Sequence, residues 1–77
     1  MADTLKDIIA KSLMLETPEI TDGLEYNSRK EWDSVAHMAL IAELEEAYDI
    51  MLDTDDIVDM SSVGKIREIL KKYDVEA

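Results

Sequence analysis

The sequence predicts an all-α fold, a four-helix bundle with three longer helices and a short third helix. The 77 residues include only two glycines and one proline, and the abundance of Leu, Ile, Ala, Glu and Lys favours helices over sheet. Apolar residues also recur at helical spacing in three separate segments. A chain of this length makes one small domain, so we expect residues 1–77 to share a single core.

The first helix is predicted to run from Asp3 or Thr4 to Met14. Acidic side chains near its start complement the positive end of the helix dipole. Its apolar residues repeat at intervals of three and four and therefore share one face: Leu5, Ile8, Ile9 and Leu13. We expect this face to pack against the rest of the bundle.

A long loop without helical periodicity follows, between the first and second helices at residues 15–32. It contains Pro18 and the pairs Asp22-Gly23 and Asn27-Ser28, which are typical of turns. Loops this long in a small domain are often functional, or else are held in place by their own apolar side chains. The candidates for such anchors are Ile20, Leu24, Tyr26 and Trp32.

The second helix is predicted from Ser34 to about Tyr48. Asp33 and Ser34 are both favourable N-cap residues, so the helix should begin near them. Its apolar stripe consists of Met38, Ile41, Leu44 and Tyr48, widened by Val35, Leu40 and Ala47. The acidic residues outside this stripe are Glu43, Glu45, Glu46 and Asp49.

Two further helices complete the predicted bundle. The third is short, at residues 55–59, with Thr54 as its N-cap. The fourth begins after the pair Ser61-Ser62 and runs to about Tyr73, and Lys71 and Lys72 complement the dipole at its end. The stripe of the fourth helix is formed by Val63, Ile66, Ile69, Leu70 and Tyr73. Together these elements imply a compact bundle.

Negative charge is concentrated in the middle of the chain. The formal net charge is −11, and residues 31–59 contain ten acidic residues but no Lys or Arg. Such a field repels nucleic acid and anionic membranes and attracts basic protein surfaces. The chain shows neither an apolar run of about 18 residues nor an N-terminal signal segment. We therefore expect a soluble, cytoplasmic monomer that does not insert into membranes.

Few residues support catalysis. The chain contains no cysteine, which excludes disulfides and a cysteine nucleophile, and its only histidine is His37. On a helix that starts at Ser34, His37 lies one turn on, so a Ser34–His37 dyad oriented by Asp33 is conceivable. A domain of this size, however, is too small to enclose a substrate around such a dyad. We expect no catalytic residues and no enzyme activity.

A metal site is also not expected. Four aspartates resemble the ligands of a calcium-binding loop: Asp53, Asp55, Asp56 and Asp59. When the loop pattern is aligned from Asp53, Val58 occupies the position that requires glycine, and Gly64 occupies the position of the final glutamate ligand. The clustered acids therefore predict weak and non-specific association with divalent ions rather than a dedicated site.

Ser34 is the residue with the clearest functional potential. A hydroxyl at a helix N-terminus lies beside unpaired backbone N–H groups and the positive end of the dipole, which suits an anionic group such as a phosphate. In one interpretation Ser34 is only a helix cap. In the other it accepts a modification, and Asp33 and the acidic helix form the surface that the modifying enzyme recognises.

Three motifs in register favour the second interpretation. Asp33-Ser34-Val35 is followed by Leu44-Glu45-Glu46-Ala47-Tyr48-Asp49-Ile50, and a short acidic segment at 55–59 leads into Ser61-Ser62-Val63-Gly64. The chain in this respect resembles the acyl carrier protein family, the small phosphopantetheine-bearing domains of fatty-acid, polyketide and related pathways. That family has Asp-Ser-Leu before an acidic helix and often a Thr-Thr-Val-Gly-type start of its last helix.

The resemblance implies that Ser34 carries 4′-phosphopantetheine, attached by a phosphopantetheinyl transferase that recognises Asp33. The terminal thiol of the arm would hold an acyl or aminoacyl group as a thioester, supplied by a loading enzyme and used by downstream synthases or transferases. Basic patches on these enzymes are expected to face Glu45, Glu46, Asp49 and Asp56. The apolar residues expected to shelter part of a bound chain are Met38, Ile41, Leu52 and Ile57.

The chain also departs from the pattern of general fatty-acid carriers. Ala36 and Ala39 stand where those carriers often have acids, and Val35 replaces the usual leucine or methionine. The lower negative charge near Ser34 favours a discrete carrier for a dedicated pathway with its own loading enzyme. The alternative from another class is an acidic helical interaction module without a prosthetic group, in which Ser34 is only a cap.

Overall fold

The computed structural model describes residues 4–75, which form a four-helix bundle. The helices are α1 (Thr4–Leu13), α2 (Ser34–Tyr48), α3 (Thr54–Asp59) and α4 (Val63–Lys72), with a short 3₁₀ helix (Thr17–Glu19) in the long loop. The predicted fold class is confirmed, including the short third helix and the long loop between α1 and α2. Asp3, the alternative start of the first helix, lies outside the described residues.

Left-handed backbone conformations end three of the helices. Met14 has φ of 58°, and the following N–H of Leu15 donates to the carbonyl of Ala10 at 2.9 Å, so α1 ends at Leu13 rather than at Met14. Asp49 and Asp74, with φ of 54° and 62°, end α2 and α4 in the same way. Glycine is the usual residue in this conformation, so the sequence does not mark these ends.

The start of α3 differs from the prediction by one residue. Thr54 is the first helical residue and not the N-cap; the cap position belongs to Asp53, which has an extended backbone and no side-chain capping hydrogen bond. At α4, by contrast, the cap lies in the predicted pair Ser61-Ser62: the Oγ of Ser62 accepts a hydrogen bond from the N–H of Lys65 at 3.1 Å. The first and last residues of a short helix are therefore hardest to predict where several cap-forming residues follow one another.

One hydrophobic cluster joins the four helices and the long loop. Its largest fully buried side chains are Trp32, Leu5, Ile9, Ile20, Leu40, Leu44, Met60, Ile66, Leu70 and Val63. Ile20 and Trp32 thus anchor the long loop as predicted, and Leu24 packs against the cluster while only partly buried. Tyr26 does not serve as a core anchor, since it is 38% exposed and lies edge-on against Trp32 at the surface.

The first turns of α2 expose two residues of the predicted stripe. Val35 and Met38 are 78% and 56% exposed, while His37 and Leu40 are buried. Successive residues of an α-helix are about 100° apart. With His37 turned inward, Val35 points to the opposite side of the helix and Met38 points sideways. Val35 and Met38 belong to the predicted apolar stripe but therefore do not lie in the core, and the polar ring of His37 takes the inward position.

Backbone hydrogen bonds tie the long loop to the start of α4. The N–H groups of Val63 and Gly64 donate to the carbonyls of Leu24 and Asp22 at 2.9 and 3.0 Å. A side chain at Gly64 would crowd this contact, because its Cβ would lie 3.3 Å from the carbonyl oxygen of Asp22. The loop therefore covers the N-terminus of α4.

Candidate functional site

Ser34 is exposed and is the first residue of α2. The N-cap is Asp33, whose side chain accepts a hydrogen bond from the N–H of Ala36 at 2.8 Å. The carbonyl of Asp33 accepts the first helical hydrogen bond, from the N–H of His37 at 2.8 Å. The interpretation of Ser34 as a helix cap is therefore wrong. Asp33 fixes the start of the helix and leaves the hydroxyl of Ser34 available for another purpose.

The N-termini of α2 and α4 differ in what their first N–H groups bind. In any α-helix these groups have no partner within the helix itself. At α4 they donate to carbonyls of the long loop. At α2 they belong to Ser34 and Val35, both of which are exposed. The start of α2 thus combines an exposed hydroxyl, open N–H donors and the positive end of a 15-residue helix, which is a favourable setting for a phosphate ester.

A cavity of about 270 Å³ lies beside Ser34, between α2 and α3. It is lined by Tyr26, Ser34, His37, Met38, Ile57, Val58 and Met60. Of the four residues expected to shelter a bound chain, Met38 and Ile57 line this cavity, whereas Ile41 and Leu52 are buried in the core. An apolar group tethered at Ser34 therefore has a largely apolar recess within immediate reach, and the residues present fit such an attachment.

His37 has both ring nitrogens engaged inside the bundle. Its Nδ1 lies 3.0 Å from the indole Nε1 of Trp32, and its Nε2 lies 2.9 Å from the carbonyl oxygen of Ile57. His37 is only 8% exposed and is therefore a buried residue. Because both nitrogens are occupied, neither is free to act as a base for Ser34, and the conceivable dyad does not form.

The acidic residues predicted to face partners are presented unequally. Glu46 and Asp49 are exposed at the end of α2. Glu45 is half-buried, and one of its carboxylate oxygens accepts a hydrogen bond from the N–H of Leu52 at 2.9 Å. Glu45 therefore has a structural role as well, since it helps to hold the segment that leaves α2.

Asp56 lies in a contact between α3 and α4 rather than on the open surface. It is 7% exposed, and its carboxylate accepts hydrogen bonds from Lys72 Nζ at 2.7 Å and from the Tyr73 hydroxyl at 2.5 Å. The hydrogen bond from Lys72, followed by that from Tyr73, lowers the pKa of Asp56. The same contact raises the pKa of Lys72 and of Tyr73. Local sequence patterns do not predict this contact, because Asp56 and Lys72 are 16 residues apart.

Among residues 4–75, no group of three or more His, Cys, Asp or Glu side chains is arranged to hold a metal ion. No helix within that range is long and apolar enough to cross a membrane.

Comparison with known proteins identifies the family. Residues 3–70 match the family model described as the phosphopantetheine attachment site. The solution NMR structure of a holo acyl carrier protein from Geobacter metallireducens matches with a TM-score of 0.79 and 27% sequence identity, over 91% of this chain and 80% of that one. No curated protein sequence matches. The resemblance seen in the sequence is confirmed. The chain belongs to the phosphopantetheine-attachment family of acyl-carrier-type proteins, non-catalytic carriers whose covalently attached prosthetic group is 4′-phosphopantetheine.

Proposed function

We propose that residues 1–77 form one carrier domain that holds acyl or aminoacyl groups on a 4′-phosphopantetheine arm attached to Ser34. The observation that carries this proposal is the position of Ser34, exposed at the first residue of α2 and at the edge of the cavity. The bound group supplies a terminal thiol on a flexible arm, which a chain without cysteine cannot provide itself.

The residues around Ser34 suit a phosphodiester. Ser34 and Val35 are the first two residues of α2, whose N–H groups lack partners within the helix, and the helix dipole favours negative charge there. Asp33 holds the first turn in place through its hydrogen bond to Ala36. We propose that Asp33 also forms part of the surface that a phosphopantetheinyl transferase recognises, since Asp33 is exposed and directly precedes Ser34.

We assign partner docking to the acidic end of α2. Glu46 and Asp49 are exposed there, and Glu45 contributes the part of its carboxylate that Leu52 does not bind. Basic patches on the transferase, the loading enzyme and the downstream synthases or transferases would complement these charges, and such contacts weaken as salt is added. Asp56 is not included in this surface, because Lys72 and Tyr73 occupy its carboxylate.

We further propose that the protein is a cytoplasmic and monomeric carrier for a dedicated pathway, of fatty-acid, polyketide or other secondary-metabolite type. Support comes from the uncharged surface next to Ser34, where Val35 and Ala39 are exposed. General fatty-acid enzymes whose basic patches complement acidic side chains at these positions would bind this carrier more weakly. The test is loading by a general malonyl transferase. A rate for the holo protein equal to that of a housekeeping carrier would contradict the proposal, whereas a lower rate that Ala39→Glu raises would support it.

The attachment itself is tested by mass spectrometry. The purified protein is incubated with coenzyme A and a broad-specificity phosphopantetheinyl transferase, and intact masses are measured for the wild type, Ser34→Ala and the matched control Ser61→Ala, which alters another exposed serine. We expect a gain of one phosphopantetheine on the wild type and the control only. A gain on Ser34→Ala would refute attachment at Ser34. No gain on any of them, with a control carrier modified, would favour the acidic interaction module.

A further inference from the structure

His37 joins three parts of the molecule beside the cavity. It lies in the first turn of α2, and its ring stacks 6.1 Å from that of Trp32, the fully buried residue at the end of the long loop. Tyr26, from the same loop, packs edge-on against the imidazole at 5.2 Å. On the other side, Nε2 reaches the carbonyl of Ile57 in α3. One side chain thus contacts the long loop, α2 and α3.

The donors around the ring determine its tautomer. An indole N–H can only donate, so the Nδ1 that faces Trp32 must accept and carries no proton. In the neutral ring the proton then lies on Nε2, which donates to the carbonyl of Ile57. The hydrogen bonds therefore run in one direction, from Trp32 through His37 to α3.

α3 depends on contacts of this kind for its position. It has only six residues, too few for a helix that is stable by itself. The carbonyl of Ile57 lies in its last turn, where carbonyls lack helical partners, and it accepts one long hydrogen bond of 3.4 Å from Met60 besides that from His37. On its other side α3 is held by the Asp56–Lys72 contact with α4. The hydrogen bond between His37 and Ile57 connects α3 to α2.

We propose that His37 is a positioning residue that fixes α3 against α2 at the cavity, and that it thereby determines how well an apolar group tethered at Ser34 is sheltered from solvent. His37, Ile57 and Ser34 all line this cavity, so the hydrogen bond crosses between its two walls. Loss of the bond would free the wall formed by α3 while leaving α1 and α4 packed. The part of this proposal that concerns cargo rests on attachment at Ser34; the part that concerns α3 does not.

The test compares His37→Phe with the matched control His37→Gln. Phenylalanine keeps a ring but loses both hydrogen bonds, whereas glutamine retains an acceptor and a donor. In the unmodified proteins, amide hydrogen exchange of α3 should be about tenfold faster in His37→Phe than in the wild type, with α1 unchanged and His37→Gln closer to the wild type. This measurement requires no prosthetic group.

A second measurement addresses the cargo. The transferase loads each protein from octanoyl- or acetyl-coenzyme A, and release by hydroxylamine is followed by intact mass. We expect octanoyl to be released more slowly than acetyl on the wild type, because only the longer group reaches into the cavity. His37→Phe should lose most of this difference, and His37→Gln should restore it. If the wild type is not loaded at all, attachment fails and the exchange experiment still decides the role of His37.

Three kinds of result would overturn the proposal. One is that His37→Phe has no effect, either on amide hydrogen exchange of α3 or on the slower release of octanoyl by hydroxylamine. Another is equal acceleration of exchange in α1 and α3, which would indicate a role in general stability alone. The third concerns the wild type and therefore does not depend on whether a variant folds. Long-range ¹H–¹⁵N NMR that shows the proton of neutral His37 on Nδ1 would leave Nε2 without a proton to donate to the carbonyl of Ile57, and would exclude the hydrogen bond to α3.

Discussion

The division of roles between Asp33 and Ser34 at the start of α2 predicts that the two residues differ sharply in their effect on stability. Asp33→Ala removes the acceptor that lies 2.8 Å from the N–H of Ala36 and the negative charge at the positive end of the helix dipole. Loss of an N-cap costs about 1 kcal/mol, within a range of roughly 0.5–2. In a domain of this size about 1 kcal/mol corresponds to a Tm lower by roughly 4–8 °C. Ser34→Ala removes no capping bond and should change stability by less than about 0.5 kcal/mol.

Urea and thermal unfolding, followed by circular dichroism on the unmodified proteins, measure these differences. Asp33→Asn is the matched control, since it keeps the oxygen acceptor and loses only the charge, and it should lie between the wild type and Asp33→Ala. The reasoning is refuted if Ser34→Ala loses as much stability as Asp33→Ala, or if Asp33→Ala is as stable as the wild type. If the expected order is found, loss of modification in Ser34→Ala reflects the missing hydroxyl and not a damaged helix.

Three further predictions concern stability. Because the hydrogen bonds from Lys72 and Tyr73 lower the pKa of Asp56, its carboxylate stabilises the fold above the ordinary value of 3.8 and ceases to do so as the pH falls through the lowered pKa. Urea unfolding at stepped pH should therefore show the stability gap between the wild type and Asp56→Asn closing over that range; a constant gap would contradict this. Leu44 is fully buried, so Leu44→Ala should cost about 2–5 kcal/mol, and a Tm near that of the wild type would count against the described core. Met14→Gly should raise stability by about 0.5–1 kcal/mol, because Met14 is 90% exposed with a left-handed backbone; a lower Tm would show that the residue is not strained.

The helices and their order could be predicted because local signals and core packing agree. The 3.6-residue spacing in α4 predicts its buried positions from Val63 to Leu70, and the N-cap, Ser62, lies in the predicted pair Ser61-Ser62. The motif around Ser34 was visible for the same reason, since a cap signal and an acidic helix are local features of the sequence. Family motifs in register then added the prosthetic group, which no periodicity could reveal.

The remaining features depend on contacts between distant segments. His37 occupies an inward position that spacing assigns to an apolar residue, and only the meeting of Trp32 and Ile57 around it makes burial favourable. Asp56 looked like one of several surface acids, because its partners lie 16 and 17 residues away on α4. The choice between Asp33 and Ser34 as the cap depends on a single residue of register, which propensities do not resolve.

The hydrogen bonds between the long loop and the start of α4 also determine how cooperatively the chain folds. They join Asp22 to Gly64 and Leu24 to Val63, two pairs that are far apart along the chain. Formation of these bonds therefore requires closure of a large loop, which lowers the conformational entropy of the chain. A fragment that ends before Ser61 contains no partner for these carbonyls. We therefore expect that α1, α2 and α3 do not fold as a smaller unit, and that the loop and α4 unfold together in a single two-state transition.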